Sequence, residues 1–289
     1  MSEANRKSLV IFPVLVLLGV GIAAAGNQGS VQALGLPLFG LLVAIIFIIQ
    51  WVAFVPAFIN QTEKFFDLTG SLTYISITIL GVVLSGATDA RSILLMVLIL
   101  VWAIRLGTFL YRRIHKDGKD GRFDHLKPHF FRFLNVWTIQ ALWVTFTALA
   151  AFIAITSANR APIGTFAIVG TLIWLIGFGI EVTADNQKTQ FRNDPNNKGK
   201  FITTGLWARS RHPNYFGEIV LWFGIMIIAI PVLQGWQWIA LISPIFVTIL
   251  LMRVSGVPLL EDRADKKWGG QTDYEEYKKN TPVLVPKLR

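Results

Sequence analysis

The sequence predicts an all-α, polytopic transmembrane helix bundle, and three observations point there. Of the 289 residues, 53% are apolar and only 15% are charged, too few polar side chains to cover a water-soluble globule of this length. The apolar residues gather in eight stretches, most of them near the roughly 20 helical residues that a crossing of the hydrocarbon core takes. Lys and Arg gather in alternate loops between those stretches.

Taken in order, the first span is Ser8–Ala25, entered through Arg6 and Lys7. Its exit, Ala23-Ala24-Ala25-Gly26, has the shape of a signal-peptide cleavage site, but the long apolar run favours an uncleaved span; cleavage would leave seven. Leu34–Phe58 follows, then Leu72–Leu84, which is short and can begin inside its polar lead-in. Ile93–Tyr111, Val136–Ile155 and Gly164–Ile180 come next. The final pair, Glu218–Val232 and Ile239–Met252, is joined by the turn Gln234-Gly235-Trp236-Gln237, with its Trp at interfacial depth. The loops 26–33, 85–92, 157–163 and 234–237 offer only Arg91 and Arg160. Against them stand the long basic segments 112–135, 184–217 and 253–289. The bias places both termini and these segments in the cytoplasm, capping the bundle as one surface; a bacterial inner membrane is the expected location. Residues 1–60 are expected to form N-terminal transmembrane helices and 61–289 a catalytic domain.

The same bias disposes of nucleic acid as an explanation for the net charge of +10. Membrane lipids and a lipophilic small molecule are the expected partners, and no obligate protein partner is evident. The chain has no Cys, which removes thiol chemistry, and its four His form no ligand cluster, so no metal is expected.

Ionisable groups at span ends carry the chemical candidates. Gln61, Glu63 and Asp67, with Tyr74 beyond them, form a polar entrance to the third span; Glu63 and Asp67 are four apart and share a helical face. A carboxyl buried there would be a proton donor; solvated by headgroups, it would be an ordinary connector. Arg105 lies nearly two turns inside its span, where it must snorkel, pair or line a polar cavity. Glu181, Asp185 and Lys188 form a stripe leaving the sixth span, followed by Arg192 and Lys200. The sharpest pattern is Arg211-His212-Pro213-Asn214-Tyr215-Phe216-Gly217-Glu218: a basic, His-bearing loop before a helix begun by Pro, with Asn214 and Glu218 on one face. Neither a Rossmann nor a P-loop glycine motif is present, so a nucleotide would be held by helix ends and loops.

That last motif, with Trp222, Gly224, Thr204-Gly205-Leu206-Trp207, the Asp185 stripe and the tail Tyr274, Tyr277, Thr281-Pro282 and Pro286, resembles the steroid 5α-reductase family, in particular its bacterial DUF1295 branch, over roughly 60–289. The resemblance implies a membrane-embedded, NADPH-dependent reductase that transfers hydride to the C=C of an enone in a lipophilic, steroid-like or isoprenoid-like substrate. It implies further that Asn214 and Glu218 meet the nicotinamide, Asp185 and Arg192 the nucleotide, and Arg105 and Lys200 the phosphates, with Arg211, His212 and Tyr215 in the same cofactor loop. The Gln-Glu acid of the eukaryotic enzymes is split here by Thr62, leaving Glu63, Tyr74, Gln61 and Asp67 as the available acid-site residues. A rival class, the S-adenosylmethionine-dependent membrane methyltransferases of the isoprenylcysteine carboxyl and phospholipid type, shares an Arg-His-Pro-x-Tyr loop, and Arg253, Glu261 and Tyr274/Tyr277 fit its outline. The Asn214–Glu218 pairing and the Gln61–Asp67 entrance favour the reductase.

Overall fold

The computed structural model describes residues 3–287. Its helices are α1 (Glu3–Gly26), α2 (Leu38–Ile59), α3 (Phe66–Ser85), α4 (Ala90–Asp117), α5 (Phe130–Thr147), α6 (Leu149–Thr156), α7 (Thr165–Asn193), α8 (Pro213–Ala229), α9 (Ile242–Ile249), α10 (Val257–Trp268) and α11 (Thr272–Asn280). A minimal antiparallel pair, Gln32–Ala33 with Leu36–Pro37, closes the α1–α2 connection. Seven helices among the described residues are long and apolar enough to cross a membrane, and the bent pair α5–α6 makes an eighth. The protein is thus an integral membrane helix bundle.

Several spans run longer than their sequence outlines, the sixth as far as Asn193, and three depart further. The third begins at Phe66 rather than Leu72, absorbing its polar lead-in. The fifth is bent by 62° between α5 and α6. Thr145 in the last turn of α5 bonds its hydroxyl back to the Ala141 carbonyl at 2.8 Å, a habit that bends helices. Every residue of α6 is buried, so the break is not exposed to lipid. The eighth passes from a 3₁₀ stretch (Gly235–Leu241) through α9 into a π-turn (Leu250–Val254) before α10.

The chain divides into two compact units. The first comprises Met1–Gly164 and Ala229–Ile242. Here α1, α2, α3 and α5 pack on one another, and α4 lies on α3. Buried amides tie the helices at fixed heights: Asn135 donates to the Ser8 carbonyl (2.8 Å), Gln50 to the Thr73 hydroxyl (2.8 Å) and Gln140 to the Phe66 carbonyl (3.0 Å). An aromatic cluster of Phe54, Phe123, Phe133 and Trp137 fills one end. Arg91 and Arg160, the two cations that depart from the loop-charge pattern, are consumed structurally. Arg91 donates to the Pro162 carbonyl at 2.6 Å, and Arg160 to Asp89 at 3.3 Å and the Ile155 carbonyl at 3.1 Å.

The second unit comprises Thr165–Ile228 and Ser243–Arg289. Its central contact is the crossing of α7 with α8, made backbone to backbone through two glycines on each helix. A Cβ on Gly177 would lie 2.5 Å from the Leu221 nitrogen, one on Gly217 2.6 Å from the Glu181 nitrogen, and one on Gly224 2.5 Å from the Gly170 carbonyl. Both pairs, 170/177 and 217/224, are seven apart, which keeps them on one face of each helix. The crossing brings Gly217 alongside Glu181, so Asn214, one turn earlier, lies at the height of Ala184 and Asp185.

Gly217→Ala should therefore lower the thermal midpoint of the detergent-purified protein by the equivalent of about 1–3 kcal/mol of overpacking. Gly179→Ala, where nothing lies within 4 Å of the new methyl, should be neutral or slightly stabilising.

Candidate functional site

In the second unit the loop before α8 is fixed from three directions. Gly205 opens it with φ +62, and a side chain there would run into Gln187, whose amide oxygen accepts from the Leu206 N–H at 2.9 Å. Trp207 is buried and donates its indole N–H to the Ala184 carbonyl on α7 at 3.0 Å. The C-terminal tail then takes the remaining backbone groups. Arg211 N–H donates to the Pro282 carbonyl (2.9 Å), Ser210 Oγ to that of Leu284 (2.8 Å), Lys287 N–H to that of Arg209 (3.0 Å), and the Tyr277 hydroxyl to that of Trp207 (2.7 Å).

The side chains of this loop converge on α10. Glu261 accepts from Arg211 Nη1 at 2.6 Å through one oxygen and lies 2.7 Å from His212 Nε2 through the other. A carboxylate bonded to Arg accepts only, so His212 carries its proton on Nε2 and, when neutral, leaves Nδ1 as an acceptor. That Nδ1 and the Arg211 Nε are buried without a hydrogen-bond partner. Burial pushes the imidazole below its ordinary value; Lys188 and Arg211 push the same way, against Glu261, which raises it.

These residues line a cavity of about 320 Å³. Its walls carry six cations, Lys188, Arg192, Lys200, Arg211, Arg263 and Lys267, with Glu261 the one acid among the lining residues. Its aromatic side is a cluster: the Phe201 ring meets Trp268 at 5.7 Å, Tyr274 at 5.2 Å and Tyr277 at 5.6 Å, while the Lys188 ammonium stands 4.3 Å above the Trp207 ring. Burial raises the Tyr277 hydroxyl above its ordinary value, so it stays a neutral donor. Such a site suits an oligophosphate with an attached flat ring.

Of the cofactor residues expected from sequence, Arg192, Lys200, Arg211 and His212 meet in this cavity. Asp185 is buried on α7, and Tyr215 stacks on His212 with rings 5.6 Å apart. Asn214 and Glu218 are half-buried on the first turns of α8, and the Asn214 Oδ1 is buried without a hydrogen-bond partner. Arg105 is half-buried on α4 in the first unit, 5.4 Å from the Phe109 ring. Sequence reasoning placed Lys188 in the stripe with Glu181 and Asp185, and did not assign Arg263, Lys267 or the Phe201–Trp268 wall to a site. The signal was present in the basic spacing of 263–267, but only the turn through the π-helix brings α10 to the loop.

In the first unit, Glu63 is buried but not solitary. It accepts from Lys127 Nζ at 2.6 Å and from the Asp120 N–H at 2.9 Å. Burial works against the charged Lys127, but bonds from Glu63 and Asp124 outweigh it and raise the lysine above its ordinary value. Asp67 pairs with Arg113 at 3.2 Å. Gln61 is exposed at φ +48 and turns its amide onto the Phe58 carbonyl (2.7 Å). Tyr74 is buried, edge-on to Trp102 with centroids 5.1 Å apart.

Fold and site together define an integral membrane protein with a cation-rich, aromatic-walled cavity built from helix ends and loops. The profile of the family described as "Protein of unknown function (DUF1295)" matches residues 53–281, and the chain belongs to that family. Among curated proteins it is similar to the Delta(14)-sterol reductase ERG24B of Gibberella zeae, 33% identical in an alignment of length 101 that covers 30% of this chain and 20% of the relative. It is also similar to the Delta(14)-sterol reductase of Methylotuvimicrobium alcaliphilum, 29% identical over 61% of this chain and 42% of that protein. The steroid 5-alpha-reductase DET2 of Gossypium hirsutum is 25% identical over 41% of each chain. The matched stretch thus spans about a fifth to two fifths of these relatives' own lengths. No solved structure matches the chain significantly.

A pH dependence follows from His212. Its folded value lies below the ordinary 6.5, so in the interval between the two the unfolded chain holds the extra proton. The stability it contributes is complete above about 6.5 and is lost as the pH falls. Thermal midpoints measured from about pH 7.5 to 5 should fall less in His212→Gln than in the wild type. Removing the one group that raises the imidazole, in Glu261→Gln, should steepen the fall.

Proposed function

We propose that the protein is a membrane-embedded reductase that uses NADPH to reduce the C=C of an enone in a lipophilic, steroid-like or isoprenoid-like substrate. One observation carries this reading: the cavity around Arg211 and His212 has six cationic side chains and one acidic one. A dinucleotide phosphate is a polyanion and meets those charges favourably. S-adenosylmethionine bears a sulfonium and an ammonium against one carboxylate, and the same walls repel it. The relatives named for an activity are reductases, which agrees.

In this reading Arg192, Lys200 and Arg211 hold phosphates, the buried Arg211 Nε being one donor still to be satisfied. His212 and Tyr215 shape the loop, while Asp185, Asn214 and Glu218 serve the nicotinamide ribose and amide; the unsatisfied Asn214 Oδ1 supports this. NADPH, when bound, supplies a hydride for the carbon β to the carbonyl. The protein then polarises the carbonyl oxygen with an acid and delivers a proton to the α-carbon. Glu63 is paired with Lys127 and Asp67 with Arg113, and Gln61 faces solvent. Tyr74, a buried hydroxyl inside the bundle, is the acid we assign.

Calorimetric titration of the purified protein with NADPH, NADH and S-adenosylmethionine tests the cofactor. NADPH should bind, and Arg192→Ala or Lys200→Ala should weaken it about tenfold or more, as loss of one charged hydrogen bond does. Binding of S-adenosylmethionine alone would overturn the reading. Once an enone lipid is turned over, Tyr74→Phe should lower kcat by about 10²–10⁴ with NADPH affinity unchanged; wild-type turnover in that variant removes Tyr74 from the mechanism.

A further inference from the structure

Beside the cationic cavity lies a second one of about 590 Å³. The two have Phe191, Lys200, Phe201 and Tyr277 in common as lining residues, so they stand back to back across one largely aromatic partition. Their chemistry changes sign there. On the α11 side the lining includes Asp273 and Glu276, with the amides Gln271 and Asn280 and the hydroxyl of Thr203, and Lys200 is its one cation. Asp273 and Glu276 are exposed at the start and middle of α11, and Asp273 Oδ1 also accepts from the Tyr274 N–H at 2.9 Å.

A ligand that spans the partition must therefore be anionic at one end and a hydrogen-bond donor at the other. It must also be flat enough at the second end to lie on Phe201, Phe191 and Tyr277. Inorganic phosphate satisfies only the first cavity, and an apolar lipid tail satisfies neither. An aminopurine joined to phosphates satisfies both: its ring stacks on the aromatic partition, and its exocyclic amine donates to a carboxylate.

We propose that this second cavity is a base subsite, in which Asp273 or Glu276 reads the exocyclic amine of adenine while Arg192, Lys200 and Arg211 hold the adjoining phosphates. The assignment rests on the nucleotide reading above and extends it to base specificity. It makes the short tail helix α11 a specificity element of the site, although the helix is polar, lies outside the membrane spans and follows the last of them.

The discriminating probe is the deamino analogue of NADPH, with hypoxanthine in place of adenine, titrated against NADPH on the full-length protein in detergent. Wild type should bind the analogue about tenfold more weakly, the loss expected when a carboxylate faces an exocyclic carbonyl oxygen instead of an amine. Either Asp273→Asn or Glu276→Gln should abolish that preference; both positions are exposed, so both variants should fold. Equal affinity of the wild type for the two dinucleotides would overturn the base subsite and leave the cofactor reading intact. A preference that survives in both single variants and in the double variant would overturn the assignment to this cavity. Failure of NADPH itself to bind folded protein would overturn the cofactor reading and the base subsite with it.

Discussion

The candidate site depends on one carboxylate. Glu261 is shared between Arg211 and His212, and without it a guanidinium and an imidazole would stand together in a cavity already rich in cations. Breaking a partly buried tie of this kind costs more than the pair is worth, because the remaining partners keep their desolvation and lose their compensation. Glu261 is also what joins α10 to the loop before α8, residues fifty apart in the chain. The tail completes the arrangement by taking the loop's backbone groups, so that Arg211 and His212 are presented by a segment with almost no freedom of its own.

The apolar solvent explains much of the rest. Within the spans, hydroxyls of Thr69, Thr73, Thr78, Thr138, Thr145 and Thr171 bond back to carbonyls one turn earlier. Buried amides bridge helices at defined heights. Lipid offers no hydrophobic drive for helix association, so close backbone contact takes its place, as at the glycine crossing of α7 with α8. That crossing also fixes the register of Asn214 against Asp185, which links a packing constraint directly to the chemistry of the loop.

How far the sequence could be read follows from the range of each signal. Spans and class were legible because hydropathy is local and the length of a crossing is fixed by the bilayer. The bend between α5 and α6 was not, since the stretch Val136–Ile155 is uncharged and carries no Pro or Gly at the break. Arg192, Lys200, Arg211 and His212 were found because they sit on one continuous basic segment that folds onto itself. Lys188 was visible as part of a stripe, but its contact with Trp207 depends on the Gly205 turn. Glu63 shows the opposite limit. Its position at a span end suggests an acid, yet its partners Asp120 and Lys127 lie 57 and 64 residues away, and only the docked loop reveals that the carboxyl group is already paired.

The motif that first drew attention, Arg-His-Pro-Asn-Tyr before a helix, is shared in outline by reductases and methyl-transfer enzymes, so by itself it cannot choose between them. The cofactor proposed above rests on the company the motif keeps. Pro213 starts α8 and the glycine crossing fixes its height, whichever cofactor is used. The cations, however, come from three separate segments: Lys188 and Arg192 from α7, Lys200 from the following loop, Arg263 and Lys267 from α10. Six like charges around one cavity repel one another, and Glu261 is the one acid among the lining residues to set against them. A charge distribution that opposes the folded state without a ligand, and is neutralised by a polyanion, is the physical argument for a phosphate-bearing cofactor at this loop.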